Sequence, residues 1–367
     1  MSQAELQSAP SFPERSEHLA VQDRGSRWTG NVPIEEFIDA HRFSRSQWML
    51  VAVCFLIVMI DGMDTAAIGY IAPALIHGWG ITKASLGPVL SAALFGLAAG
   101  AMMSGPAADR FGRRTVLIVA TTFFGALSLA TAWSNSIDLL VALRFLTGIG
   151  LGAAIPNAIT LVSEYAPQRS RSILVNATYC GFTVGAAAGG FLSTWLIPAF
   201  GWHSLFIVGG LLPLIFVVGI VVWVPESARF LVRTGAAKEK IWAPLAKIAP
   251  LDLARIDSFR LSESVQTNAK TSVGAILSKR YLIGTLMLWL TYFMGLVIYY
   301  LLMSWMPLLM NEAGFTPTRA SLLTALFPLG GFIGTLASGW MMDRWNANAV
   351  VLLGYLVTAG LIFVVGQ

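Results

Sequence analysis

LVAVCFLIVMIDGMDTAAIGYIA, residues 50–72, is a stretch whose only charged residues are Asp61 and Asp64. An apolar run of about 20 residues is long enough, as a helix, to cross the ~30 Å hydrocarbon core of a bilayer. Charged residues make up 12% of the 367-residue chain, about half the fraction in an ordinary soluble domain. Eight further apolar runs follow, near 85–104, 115–133, 139–160, 173–197, 203–224, 281–302, 320–341 and 349–367. The sequence therefore predicts an all-α membrane protein with nine transmembrane helices.

Lysine and arginine are unequally divided between the two ends of these predicted helices. Of the 24 such residues, 21 lie in the N-terminal tail and in the loops on the same side. Lys83 and Arg319 lie on the opposite side, and Arg144 lies inside a predicted helix. Because cytoplasmic loops carry the positive excess, we expect a cytoplasmic N-terminus. The net charge of +5 follows from this bias, and no basic cluster with a phosphate-sized footprint predicts a nucleic-acid partner.

The order of polar and apolar segments predicts two groups of helices. A cytoplasmic tail (1–47) precedes a six-helix bundle (48–224), a basic cytoplasmic linker (225–279) and three further helices (280–367). Six helices, a linker and a second set form the outline of a transporter built from two repeated halves. A short repeat supports this outline, because Gly-x-x-x-Asp-Arg occurs in the second inter-helix loop of each half. Its members are Gly105, Asp109 and Arg110, and Gly339, Asp343 and Arg344.

The residue types that carry most enzymatic chemistry are sparse. Both cysteines, Cys54 and Cys180, lie in predicted helices, and the four histidines show no metal-ligand spacing. No nucleophile–base pair or nucleotide-binding loop is recognisable. We therefore expect neither a metal, nor a cofactor, nor an enzymatic activity.

Asp61 and Asp64 are the first candidate functional residues. Asp61 lies ~16 Å into the first predicted helix, near the bilayer midplane, and Asp64 lies about one turn further. Residues at i and i+3 share a helix face, so both carboxylates point the same way. Carboxylates at this depth are costly and usually functional. As a coupled pair they can hold a proton near neutral pH, which a proton-coupled carrier requires, although ion pairing within the bundle is the alternative.

Arg144 is the other charge inside a predicted helix. Its depth, ~22 Å from the inner face, nearly matches the ~21 Å of Asp64. Arg144 can therefore pair with Asp64, or its planar fork can bind an anionic substrate.

Two more groups of residues are candidates for gating and for substrate contact. Asp109, Arg110 and Arg113 in the 105–114 loop, with Glu164 and Arg169 after the fourth predicted helix, can form charge pairs that hold one conformation. The alternative is an ordinary positive-inside loop. Tyr292 and Tyr299, seven residues apart on one helix face, can stack on a planar ligand or can belong to an interfacial aromatic belt.

Several motifs resemble a known family. GPAADRFGRR (105–114), RFLTGIGLGAA (144–154) and PESARFLV (225–232) resemble signatures of the major facilitator superfamily, although Thr147 stands where many members have glutamine. DGMDTAAIGYIAPAL (61–75) is similar to the first helix of its aromatic acid:proton symporters. LWLTYFMGLVIYYLLMSW (288–305) resembles the 4-hydroxybenzoate/protocatechuate members. The resemblance extends from about residue 31 to the end, without the last three helices of that family.

The resemblance implies roles for particular residues. Asp61 and Asp64 would serve transport, and Arg144 would contribute to the substrate or proton site. A cytoplasmic gating network would contain Gly105, Asp109, Gly112, Glu164 and Asp343.

The combined expectation is a monomeric, proton-driven importer of an aromatic carboxylate in a bacterial inner membrane. Protonation of the aspartate pair on the outer side would accompany binding, with Arg144 meeting the substrate carboxylate and helix 7 tyrosines meeting its ring. The alternatives are a symporter of another organic acid, a solute sensor for chemotaxis, or an inactive fragment that lacks three helices.

Overall fold

A computed structural model describes residues 28–261, 282–342 and 344–365. Over those residues the chain is almost entirely helical, with two short strands. In chain order the elements are β1 (Gly30–Pro33), α1 (Ile34–Ala40), α2 (Arg45–Trp79), α3 (Lys83–Phe111), α4 (Arg113–Thr131), α5 (Ile137–Tyr165), α6 (Arg171–Phe200), α7 (His203–Trp223), α8 (Ala228–Arg233), α9 (Lys238–Ala246), β2 (Ile256–Arg260), α10 (Leu282–Glu312), α11 (Pro317–Met342) and α12 (Ala347–Val365).

Long helices occupy all nine of the predicted positions. Within the described residues, eight of them are long and apolar enough to cross a membrane, namely α2–α7, α10 and α11. In α12 the apolar stretch, Asn348–Val364, is shorter than in the other eight. Six of these helices, α2, α3, α5, α6, α10 and α11, are longer than the predicted apolar runs because further residues continue them beyond the membrane core. α2 has 35 residues and is ~52 Å long. It begins at a capping box, in which Ser44 and Gln47 each bind the backbone N–H of the other.

The first six long helices form one packed group. α2 packs along α6, α3 packs along α5, and α4 lies against both α5 and α7. The second group joins the first through two helices, because α10 packs on α2 and α11 packs on α6. We call the end of the bundle that carries α1, α8 and α9 the linker end, and the opposite end the far end.

The N-terminal segment and the linker fold together at the linker end. β1 and β2 form a parallel pair, in which Gly30 is opposite Ile256 and Pro33 is opposite Arg260. Phe37 of α1 is fully buried in the core that continues into the first group of helices. Lys238 donates to the Ile256 carbonyl at 2.8 Å. Residues that read as polar tail and linker thus form a structured layer under the first six helices.

Candidate functional site

Asp61 and Asp64 lie at the centre of the longest helix. Asp61 is 16 residues from the start of α2 and 18 from its end, and both carboxylates are buried. Gly62 lies directly against the Phe182 carbonyl of α6, so a Cβ has no room at this position. The DGMD motif therefore stands where α2 and α6 are in backbone contact.

Asp64 is held by a buried ion pair. Arg144 of α5 donates from Nη1 to Asp64 Oδ2 at 2.8 Å, and both side chains are at most 1% exposed. Ser128 of α4 donates to the other carboxylate oxygen of Asp64. A charge-assisted bond of this length is among the stronger side-chain interactions. The two residues that depth counting placed level with each other are therefore direct partners.

The Arg144 guanidinium has further contacts through Nη2, whereas its Nε is buried without a hydrogen-bond partner among the described residues. Its Nη2 lies 2.9 Å from Thr131 Oγ1 and 3.2 Å from Thr147 Oγ1, and its guanidinium stands 4.5 Å from the centroid of the Phe206 ring. Arg144 is thus enclosed by α2, α4, α5 and α7. Thr131 and Ser128 were not predicted as site residues. The available signal was that both are hydroxyl residues in the last, mostly apolar part of a predicted transmembrane helix.

Asp61 has a different environment from Asp64. Its Oδ1 accepts a 3.3 Å bond from Thr65, and its Oδ2 is buried without a hydrogen-bond partner among the residues that the structure describes. The helix that carries Asp61 is in backbone contact with α6 at Gly62 and with α10 at Gly69. Because α6 and α10 belong to different helix groups, Asp61 lies at the junction between them.

The two predicted substrate tyrosines occupy different surroundings. Tyr299 packs between the helix groups, with ring centroids 6.2 Å from Phe182 and 5.7 Å from Phe327. Its hydroxyl is buried without a partner. Tyr292 is 63% exposed.

Ion pairs cluster at the linker end. Arg113 Nε lies 3.1 Å from Glu164 Oε1, and Arg113 Nη2 lies 3.7 Å from Asp109 Oδ1. Asp109 also accepts a 2.8 Å bond from Arg233 of α8. These pairs connect α3, α4 and α5 to the linker, so they bind parts of the first group together. A cavity of about 650 Å³ opens beside them, between α5, α8 and β2.

Gly112 and Gly105 are not equivalent within the GPAADRFGRR motif. Gly112 has φ +90°, and a Cβ there would collide with the Glu226 carboxylate. Glu226 accepts the backbone N–H of Arg114 at 3.0 Å and thereby caps the start of α4. Gly105 lies within α3, and a Cβ there would meet no neighbouring atom. Glu226 was not predicted as part of this network.

The remaining predicted gating residues have other partners. Arg110 stands over the Phe111 ring, and Arg344 stands over the Trp340 ring. Arg169 donates to the His41 carbonyl at 2.9 Å and so contacts the N-terminal segment. Asp343 lies outside the described residues. In the described ranges, no group of His, Cys, Asp and Glu side chains could hold a metal ion.

A sequence profile of the Major Facilitator Superfamily matches residues 54–366. The chain belongs to this superfamily. Its members are built from two helix groups with the substrate site between them, which agrees with the position of Asp61.

The relatives and the solved structures agree with this membership. The chain is 50% identical to the 4-hydroxybenzoate transporter PcaK of Pseudomonas putida, over 92% of this chain and 75% of the relative. It is 45% identical to a gallate transporter of Pseudomonas putida, over 88% and 72%. Its fold is similar to the xylose transporter XylE from E. coli in a partially occluded inward open conformation, with a TM-score of 0.64, 21% identity, and coverage of 82% and 74%. The XylE likeness concerns the fold alone.

The two helix groups of this superfamily fold meet mainly in the far half of the bundle. Lys83, at the start of α3, forms an ion pair with Glu312, the last residue of α10. Gly69 of α2 lies against Met303 of α10, which is buried. These contacts join the two groups toward the far end.

Proposed function

We propose that the protein imports an aromatic carboxylate of the 4-hydroxybenzoate type together with protons, by alternating access. We place it in a bacterial inner membrane with its N-terminus and linker in the cytoplasm. Curated relatives that transport 4-hydroxybenzoate and gallate, at 45–52% identity, support the substrate class. The excess of Lys and Arg at the linker end supports the orientation.

The observation that carries the coupling mechanism is the unequal bonding of the two aspartates. Asp64 has its charge balanced by Arg144, whereas Asp61 is buried with one carboxylate oxygen unpaired. A buried charge without a partner is strongly disfavoured. Protonation therefore lowers the free energy of the buried side chain far more at Asp61 than at Asp64. We therefore assign the transported proton to Asp61. The Asp64–Arg144 pair fixes α2 against α4 and α5, and Arg144 in this role does not contact substrate directly.

Alternating access supplies the remaining steps. With the linker end in the cytoplasm, the far-end contacts support a carrier whose outer side is closed. Rocking of the two groups would separate Lys83 from Glu312 and bring α10 towards the first group at the linker end. Asp61, at the junction of α2, α6 and α10, would then be reached from the outside. The network of Arg113, Glu164 and Asp109 would keep the first group and the linker rigid during this motion.

Uptake into proteoliposomes tests the proposal. Labelled 4-hydroxybenzoate should accumulate when the outside is more acidic than the lumen, and a protonophore should abolish the accumulation. Asp61→Asn should lose uphill accumulation but retain exchange of labelled for unlabelled substrate, because an amide stands in for the protonated carboxyl. Accumulation that survives either treatment refutes the proton coupling. Binding without any transport would instead favour a sensor, and uptake of other organic acids alone would refute the substrate class.

A further inference from the structure

The cavity at the linker end combines apolar and charged walls. It has a volume of about 650 Å³, within the range of about 300–1,000 Å³ that is usual for small-molecule sites. Two aromatic side chains line it, those of Phe230 in α8 and Phe259 in β2. Among the described residues, its charged lining consists of one acid and four bases, namely Glu164, Arg113, Arg229, Arg233 and Arg260. A ligand that matches this lining carries an apolar ring and a negative charge.

One of the four arginines has no counter-charge. Three of them form ion pairs with acidic side chains, whereas Arg260 has none within ion-pair distance in the part of the chain that the structure describes. Arg260 is the last residue of β2, and its side chain is exposed. A guanidinium presents a planar fork that matches the two oxygens of a carboxylate. Arg260 can therefore bind a ligand carboxylate without breaking an existing ion pair.

Buried polar atoms in the same lining lack hydrogen-bond partners among the described residues. They include Glu164 Oε2, on a side chain that is 4% exposed, and Arg113 Nη1. The two side chains are adjacent, since Arg113 Nε lies 3.1 Å from Glu164 Oε1. A carboxylate oxygen accepts and a guanidinium nitrogen donates, so together they match a hydroxyl group, which does both. A ligand hydroxyl that pairs these atoms removes the cost of leaving them unpaired.

We propose that this cavity is a second binding site, for a hydroxylated aromatic carboxylate. Arg260 binds the carboxylate, and the ring packs against Phe230 and Phe259. The ligand hydroxyl donates to Glu164 Oε2 and accepts from Arg113 Nη1. The inference goes beyond the proposed function, and only the placement of the cavity in the cytoplasm rests on that function. With that placement, the site fills as the transported acid accumulates inside the cell.

The lining favours this class of ligand over a small inorganic anion. Inorganic phosphate matches the arginines, but it gains nothing from the phenylalanines, because it has no apolar surface to remove from water. Benzoate matches Arg260 and the two rings, but it leaves the buried polar atoms of Glu164 and Arg113 unpaired. Both compounds therefore serve as probes of the chemistry that the cavity selects.

Equilibrium dialysis of the full chain in detergent, with labelled 4-hydroxybenzoate, counts the molecules bound per chain. Arg260→Gln should bind one molecule fewer than the wild type, because the glutamine amide carries no charge. Arg255→Gln is the matched control. Arg255 is also exposed, just before β2, but it pairs with Asp252 at 3.2 Å and lies outside the cavity lining. This control should bind as many molecules as the wild type.

Competition then tests the class of ligand. Unlabelled 4-hydroxybenzoate should displace the molecule that depends on Arg260. Benzoate should need at least about tenfold higher concentration, because it lacks the bonds from the hydroxyl to two charged groups. Inorganic phosphate at the same concentration as 4-hydroxybenzoate should leave this molecule bound.

The outcomes separate this inference from the proposed function. Equal binding by the wild type and Arg260→Gln overturns the second site, and so does an equal loss in Arg255→Gln. Displacement by benzoate at the concentration of 4-hydroxybenzoate overturns the pairing of the hydroxyl, and displacement by phosphate overturns the aromatic class. A wild-type protein that binds the molecule dependent on Arg260, but does not accumulate 4-hydroxybenzoate in proteoliposomes, supports this site and overturns the proposed function.

Discussion

Replacing Asp64 by asparagine should destabilise the protein far more than the same replacement of Asp61. Both residues are buried on the same helix, three positions apart, so the two variants match in chemistry and depth. Asp64→Asn removes the counter-charge of Arg144, which is 1% exposed and has no other acidic partner among its bonds. Leaving one charge of a buried pair uncompensated costs about 3–5 kcal/mol. Because the asparagine oxygen can still accept from Arg144, we expect the lower end, about 3 kcal/mol.

Asp61→Asn removes weaker interactions than Asp64→Asn does. Its carboxylate has one 3.3 Å bond from Thr65 and no bonded cation. Loss of a single hydrogen bond of that kind is worth about 0.5–1.5 kcal/mol, and removal of an unpaired buried charge offsets part of it. We therefore expect a change of less than about 1 kcal/mol in either direction.

The measurement is unfolding in mixed micelles by titration with a denaturing detergent, followed by circular dichroism. The cycle is completed with Arg144→Gln and with the double variant Asp64→Asn/Arg144→Gln. The double variant should recover at least about 2 kcal/mol relative to the sum of the single changes, because it contains no uncompensated charge. Equal losses for the Asp61 and Asp64 variants, or additive effects at Asp64 and Arg144, would refute the assignment of distinct roles.

Two further predictions concern the linker end. Gly112→Ala should lower the free energy of unfolding by about 1–2 kcal/mol, because φ is +90° at this position. Gly105→Ala, in an open part of a helix, should raise the free energy of unfolding by about 0.5–1 kcal/mol. The same detergent titration measures both variants, and equal effects would contradict the distinction between the two glycines. Phe37→Ala should detach β1 and α1 from the bundle, because truncating a buried phenylalanine costs about 3–5 kcal/mol of stability. The amide hydrogens of β2, which pairs with β1, should then exchange faster. Glu36→Ala, on the exposed side of α1, should leave that exchange unchanged, and slow exchange in both variants would show that Phe37 does not hold the segment.

Depth counting along single helices was enough to relate Asp64 to Arg144. Both were placed ~21–22 Å from the same face, and their side chains meet at 2.8 Å. The same reasoning treated Asp61 and Asp64 as an equivalent pair, because they share a helix face. Which of the two aspartates has a cation as its partner depends on how α5 and α6 are oriented relative to the face of α2 that carries both. The spacing of the aspartates within α2 does not indicate this orientation.

The gating prediction was informative about residue type and less so about partners. Arg113 and Glu164 do meet, but Asp109 also pairs with Arg233 of the linker, and Arg169 bonds to the N-terminal segment instead. These partners come from segments whose sequence reads as polar and irregular. Their roles in gating stay predictions.

Local composition alone determined that this chain is a set of long apolar helices with a basic end. That follows because hydrophobic length and charge placement are properties of single segments, and a bilayer selects for them directly. Only the tertiary structure decided that Asp64 is bonded to a cation and Asp61 is not, that the DGMD motif lies against α6, and that β1 joins β2. Those contacts link residues far apart in the chain, 80 positions for Asp64 and Arg144, so they depend on how whole helices pack. Contacts between whole helices do not produce a periodic sequence pattern within any single segment.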